Sequence, residues 1–67
     1  MHNEVVPLKV REIKRLVEKA GWVYSHTTGI HAHYHHPTLP GIVTIPGAGH
    51  KELPRGTEAN IKKQAGL

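Results

Sequence analysis

The chain has 67 residues, with nine Lys and Arg against five Glu, seven His and no Cys. A chain this short forms one domain and buries only about 60% of its unfolded surface, so its core is thin; without cysteine it has neither disulfides nor thiolate metal ligands. No apolar run is long enough for a signal peptide or a membrane span, so the expected setting is the cytoplasm, and a formal charge of +4 favours an acidic partner such as nucleic acid or an acidic protein.

Residues 1–8 read as a frayed arm broken by Pro7. From Val10 the apolar residues fall at Val10, Ile13, Leu16, Val17 and Ala20, which is helical spacing. Lys14, Arg15, Glu18 and Lys19 fill the other side, and Gly21 is the expected stop. Lys9, Arg11, Lys14 and Arg15 make this helix basic; the strip can track a phosphate backbone or simply be solvated.

WVYSHTT reads as a strand, Gly29 as a turn, and HAHYHH as a second strand ended by Pro37. PTLPG is a hairpin loop, and IVTI a third strand ended by Pro46. GAGHKELPRG is loop, and Thr57 is the expected N-cap of a last helix over 58–65, closed by Gly66. The order is α-β-β-β-α, an α+β fold with a three-stranded antiparallel sheet and both helices on one face. There is no Phe, one Trp and two Tyr, so Trp22, Tyr24 and Tyr34 are expected to carry much of the core area.

Side chains alternate along a strand. Tyr34 and Ala32 are expected to face the helices. His31, His33 and His35 then face solvent, while His36 shares the Tyr34 side at the strand end and is expected to be structural. The exposed histidines admit three readings. One is polar filler on a wet sheet face. A second is metal binding, since histidines at i and i+2 can chelate a divalent ion and His26 on the neighbouring strand can join them; no acid or cysteine in the segment supports a fixed site.

The third reading is acid–base chemistry on RNA. RNA carries its own nucleophile, the 2′ hydroxyl. A base near neutral pKa need only remove that proton, and an acid protonate the leaving 5′ oxygen. Histidine suits both tasks. Lys, Arg and backbone N–H groups nearby stabilise charge on the phosphorane, and no metal or other cofactor is required. Lys51 and Arg55 lie just before the predicted last helix, whose N-terminus can itself bind phosphate. His50, in a Gly-rich loop, is a candidate second proton carrier.

REIKRLVEKAGW, then GIHAHYHHP, then PG-I-VTIP, then KELPRGT and IKKQAGL follow one another in order. This ordered set, over roughly residues 9–67, resembles the HicA family of mRNA interferase toxins from bacterial toxin–antitoxin pairs. The resemblance implies a double-stranded-RNA-binding-domain-like fold, metal-independent cleavage of mRNA, and a cognate HicB-type antitoxin that covers the active face. It places the active histidine at His31; Gly29, His33, His35, Lys51 and Arg55 are read as the RNA contacts around it. The chain departs from the family in several places. The family's serine before the histidine is Ile30, the often basic position before Gly29 is Thr28, and a strand position often Arg or Lys is His35. Glu58 and Lys62 stand where some members are apolar, which trims the last helix's buried face to Ile61, Ala65 and Leu67. A non-catalytic RNA-binding module on the same fold and a small His-rich metal binder are the alternatives.

Overall fold

The computed structural model describes residues 8–67. The predicted arm lies outside the described residues except for Leu8.

The first helix, α1 (Val10–Lys19), forms where Val10, Ile13 and Val17 make one apolar stripe, and all three are buried. Glu12 reaches back to accept a hydrogen bond from the Lys9 N–H at 3.2 Å, satisfying a donor that the helix start leaves over. The helix stops at Gly21, as expected, with φ +98. A side chain there fails twice: the left-handed backbone disfavours it, and a Cβ would stand 2.7 Å from Nε2 of His36. Leu16 departs from the expected stripe. It is 38% exposed and with Leu8, Glu12, Arg15 and Lys19 lines a shallow groove on the outer side of the helix.

Three strands follow: β1 (Val23–Thr28), β2 (His31–His35) and β3 (Val43–Pro46), antiparallel and in the spatial order β1-β2-β3. β1 and β2 are joined by the two-residue turn Gly29-Ile30. Gly29 has φ +60 and Ile30 does not have a positive φ. A hairpin turn of this kind takes glycine at its first central position, because only there must the backbone be left-handed. Pro46, expected to end the third strand, is its last residue. It pairs with His31 at the sheet edge, where a residue without an N–H is tolerated.

The last helix, α2 (Arg55–Ala65), begins three residues earlier than expected. Thr57 is not its cap: Pro54 occupies that position with extended φ and ψ, and no side chain caps the end. Proline's fixed φ is what halts the preceding segment there. Gly66 closes the helix in the left-handed conformation.

The alternation of β2 and β3 sorts the sheet into two faces. Ala32, Tyr34, Val43 and Ile45 are buried and join Val10, Ile13, Val17, Trp22, Leu53, Ile61 and Ala65 in one core, so both helices lie on that face. Each fully buried Val or Ile contributes about 1.5–3 kcal/mol. Two expected contributors are absent. Tyr24 is 50% exposed because β1 lies beyond the reach of the helices and every one of its residues is exposed; Leu67, past the Gly66 cap of α2, is 53% exposed.

Long-range backbone bonds close the molecule. Leu8 accepts from Leu53 N–H at 3.0 Å, Val10 N–H donates to Lys51 at 2.8 Å, and Lys9 bridges Glu52. Trp22 Nε1–H donates to the Ala65 carbonyl at 3.1 Å. This ties the entry of the sheet to the last turn of α2, and makes Trp22 a core residue.

Candidate functional site on the open sheet face

The face of the sheet turned away from the helices carries the histidines. His31 and His35 are exposed and His33 is half-buried, all opposite in sense to buried Ala32 and Tyr34. His31 is the first residue after the Gly29-Ile30 turn and pairs with Thr28 on one side and Pro46 on the other. The Ile30 carbonyl accepts from Gly47 N–H at 2.9 Å, which fixes the turn against the end of β3.

β1 contributes a histidine to this face and carries an irregularity just beyond it. Counted back from the turn, Thr28 pairs with His31, Thr27 with Ala32 and His26 with His33; Ser25 is then skipped and Tyr24 pairs with Tyr34. A bulge of this kind sends one side chain to the other face. Tyr24 therefore stays on the helix side, edge-on to Tyr34 with ring centroids 5.8 Å apart and bonded to the Thr27 hydroxyl at 2.7 Å. His26 goes to the open side, where its ring lies 4.7 Å from that of His33 at an interplanar angle of 31°. Each of these rings is held at Nδ1: His26 by the Ser25 hydroxyl at 3.0 Å and His33 by the Thr44 hydroxyl at 3.2 Å.

His36 does the structural work expected of it. Its Nε2 bonds the Ala20 carbonyl at the end of α1 at 3.1 Å, and its Nδ1 accepts from the N–H groups of Thr38 and Leu39, each at 3.1 Å. Those two donors fix the proton on Nε2. The ring also meets Trp22 edge-on at 5.2 Å.

The cations are placed unequally. Gly47, bonded to the turn, lies beside Lys51, whose Cβ comes within 4.0 Å of where a Gly47 side chain would begin. Lys51 is exposed, and its carbonyl accepts from Val10 N–H at the start of α1. Arg55 is also exposed, but it opens α2, on the layer that covers the other face. No contact links it to the histidines. His50 is exposed in the same loop as Lys51. Glu58 and Lys62 form an ion pair at 3.1 Å. That hydrogen bond, with a weaker one from Leu8 N–H, holds the Glu58 carboxyl below its ordinary range. Among the described residues no three His or Glu side chains converge on a point suited to a metal ion.

The sequence reading brings His26 to the exposed histidines from the neighbouring strand but misses the Ser25 bulge and the hydroxyls that hold His26 and His33. A signal for the bulge exists. A two-residue turn with regular pairing sets Ser25 opposite Tyr34, and only a skipped residue restores an aromatic partner there.

The family described as HicA toxin of bacterial toxin-antitoxin matches residues 10–67 of the chain. The chain belongs to the HicA toxin family. No curated protein matches it. As a HicA toxin it is one half of a toxin–antitoxin pair, and an antitoxin partner follows from that membership. Among the described residues no helix is long and apolar enough to cross a membrane.

Proposed function

We propose that this HicA toxin is an endoribonuclease that cleaves mRNA without a metal or other cofactor, with His31 as general base or acid. The observation that carries this reading is the position of His31: exposed, next to a glycine turn, on a sheet face that neither helix covers, with two more histidines in line on the same strand. The 2′ hydroxyl of RNA supplies the nucleophile, so imidazoles suffice for the proton transfers. The strands that form this face contain no Asp or Glu to hold a divalent ion. His33, His35 and Lys51 supply charge to the phosphates, and the left-handed Gly29 lets the backbone approach them. Arg55 joins them only where the RNA is long enough to pass around the sheet edge to α2.

The partner is a cognate HicB-type antitoxin presenting Asp or Glu to the His31, His33 and His35 face, and the pair acts in the cytoplasm. Opposite charge would speed that encounter.

The test is incubation of the purified chain with mRNA in EDTA, beside His31→Ala. Wild type is expected to cleave, and the variant to lose about 10²- to 10⁴-fold in rate while melting at the same temperature. Equal cleavage by the two would sink the assignment of His31. Binding without cleavage by wild type would favour a non-catalytic RNA-binding module, to which the exposed apolar Ile30 beside the site is suited.

A further inference from the structure

Cleavage of an RNA phosphodiester through its own 2′ hydroxyl needs two proton transfers, and one histidine cannot stand on both sides of the phosphorus at once. The open face offers a second. His33 lies two residues from His31 on the same side of β2, a spacing of roughly 7 Å along a strand. That span lets one imidazole address the 2′ oxygen and the other the 5′ oxygen. His33 is also the most constrained of the strand histidines that face outward. Its Nδ1 faces the Thr44 hydroxyl, which leaves Nε2 as the nitrogen turned to solvent, and its ring rests against His26. His31, by contrast, has no side-chain partner among the described contacts.

Pairing counted back from the turn sets His26 opposite His33, which brings its ring to the open face. The Ser25 bulge follows at once and returns Tyr24 to the Tyr34 side; irregularities of this kind are frequent beside active sites.

We propose that His33 is the proton donor to the leaving 5′ oxygen, with Thr44 and His26 as the residues that position its ring. The inference rests on the ribonuclease reading above. In the step, the 2′ oxygen bonds to phosphorus while a ring nitrogen of His31 takes its proton. The bond from phosphorus to the 5′ oxygen breaks, its electron pair goes to that oxygen, and the Nε2 proton of His33 follows. The products are a 2′,3′-cyclic phosphate and a 5′ hydroxyl. His31 leaves the step protonated and His33 neutral, and exchange with water resets both. In the charged form of His33, Nδ1–H donates to Thr44 Oγ1, so Nε2–H is the one free to leave.

The experiment uses an oligoribonucleotide that the wild-type chain cleaves, made in two forms: the ordinary linkage, and one with sulfur replacing the bridging 5′ oxygen at the scissile bond. A thiolate leaves without being protonated, so the sulfur linkage needs a base and no acid. His33→Gln is expected to lose about 10²- to 10⁴-fold on the oxygen linkage and to come within about tenfold of wild type on the sulfur linkage. His31→Gln is expected to lose on both. His26→Ala should show a smaller loss on oxygen that sulfur also rescues, and His26→Phe, which keeps a ring against His33, should lose less than His26→Ala. A His33→Gln variant that is equally impaired on both linkages, or on neither, overturns the acid assignment and leaves the ribonuclease reading standing. A wild-type chain that cleaves no oligoribonucleotide drawn from mRNA overturns both.

Discussion

The two faces of β2 are made from alternate residues of a single five-residue strand, yet they answer to different demands. Ala32 and Tyr34 are each 3% exposed and packed under both helices, while His31 and His35 are exposed and His33 meets the Thr44 hydroxyl and the His26 ring. The covered face is committed to holding the fold. The open face holds almost nothing up, so its residues can be chosen for chemistry. The comparison can be broken by any substitution that makes one face behave like the other.

The largest expected effect is on the covered face. Ile45 is fully buried, and Ile45→Ala should cost about 2–5 kcal/mol by loss of transfer energy and an unfilled cavity. That is a large fraction of the total for a domain this small, at ~0.05–0.15 kcal/mol per residue. His33→Gln should stay within about 0.5 kcal/mol of wild type, as surface substitutions do. Urea unfolding of the two variants side by side checks this. Comparable losses would mean that the histidine face is structural after all.

Trp22→Phe comes next. It keeps most of the ring but strands the Ala65 carbonyl, whose partner is Trp22 Nε1–H. An orphaned buried polar group costs about 1–3 kcal/mol. The loss should appear as a lower melting temperature with RNA cleavage rates unchanged at 20 °C below the transition.

Ile30→Ser sharpens the contrast from the other side. Ile30 is 66% exposed beside His31, and a hydroxyl there can bond a phosphate oxygen where isoleucine cannot. One hydrogen bond to a charged group adds about 1.5 kcal/mol, or roughly tenfold in affinity, read with a 2′-deoxy substrate so that turnover does not intervene. No gain would mean that the turn has been rebuilt around isoleucine.

The smallest effects are in pH. Burial, with help from the Glu18 carboxylate and Tyr24, pushes the Tyr34 hydroxyl above its ordinary 10.0. The folded state thus favours the neutral phenol, so this contribution is complete below pH 10 and is lost as pH rises through the folded value. Tyr34→Phe should flatten the alkaline fall in stability. Glu58 has the opposite sign. Its hydrogen bond to Lys62 keeps its carboxyl below the ordinary 4.5, so its contribution is present above that value and disappears as pH falls through the folded one. Glu58→Gln should remove a shallow acid-side slope in urea midpoints, and an unchanged slope would show that the ion pair is idle.

The element order and the sense of β2 were legible because the constraints are local and periodic. Val10, Ile13 and Val17 fall on one helical stripe, and Tyr34 with Ala32 outweighs the histidines in choosing the buried side. Leu16 and Tyr24 were misjudged because they match the pattern but lie at the rim, where no neighbouring element reaches them. Tertiary arrangement alone decides that. The start of α2 was misplaced because Thr57 has the right chemistry for a cap, whereas Pro54 acts through its backbone. Gly47 links the Ile30 turn to the loop of Lys51 by contacts that have no sequence signature. Arg55 went to the opposite layer because the helix took it in.

The bond from Trp22 to Ala65 spans 43 residues, and Ile61 and Ala65 complete a core whose other members lie earlier in the chain. Such contacts form only after the loop between them has been closed. Until α2 docks, the core therefore stays open along the side that Ile61 and Ala65 close. A chain ending at Asn60 should be digested by protease at the rate of an unfolded polypeptide, and the full chain far more slowly. The open face is thus held in shape only once α2 has docked on the other side of the sheet.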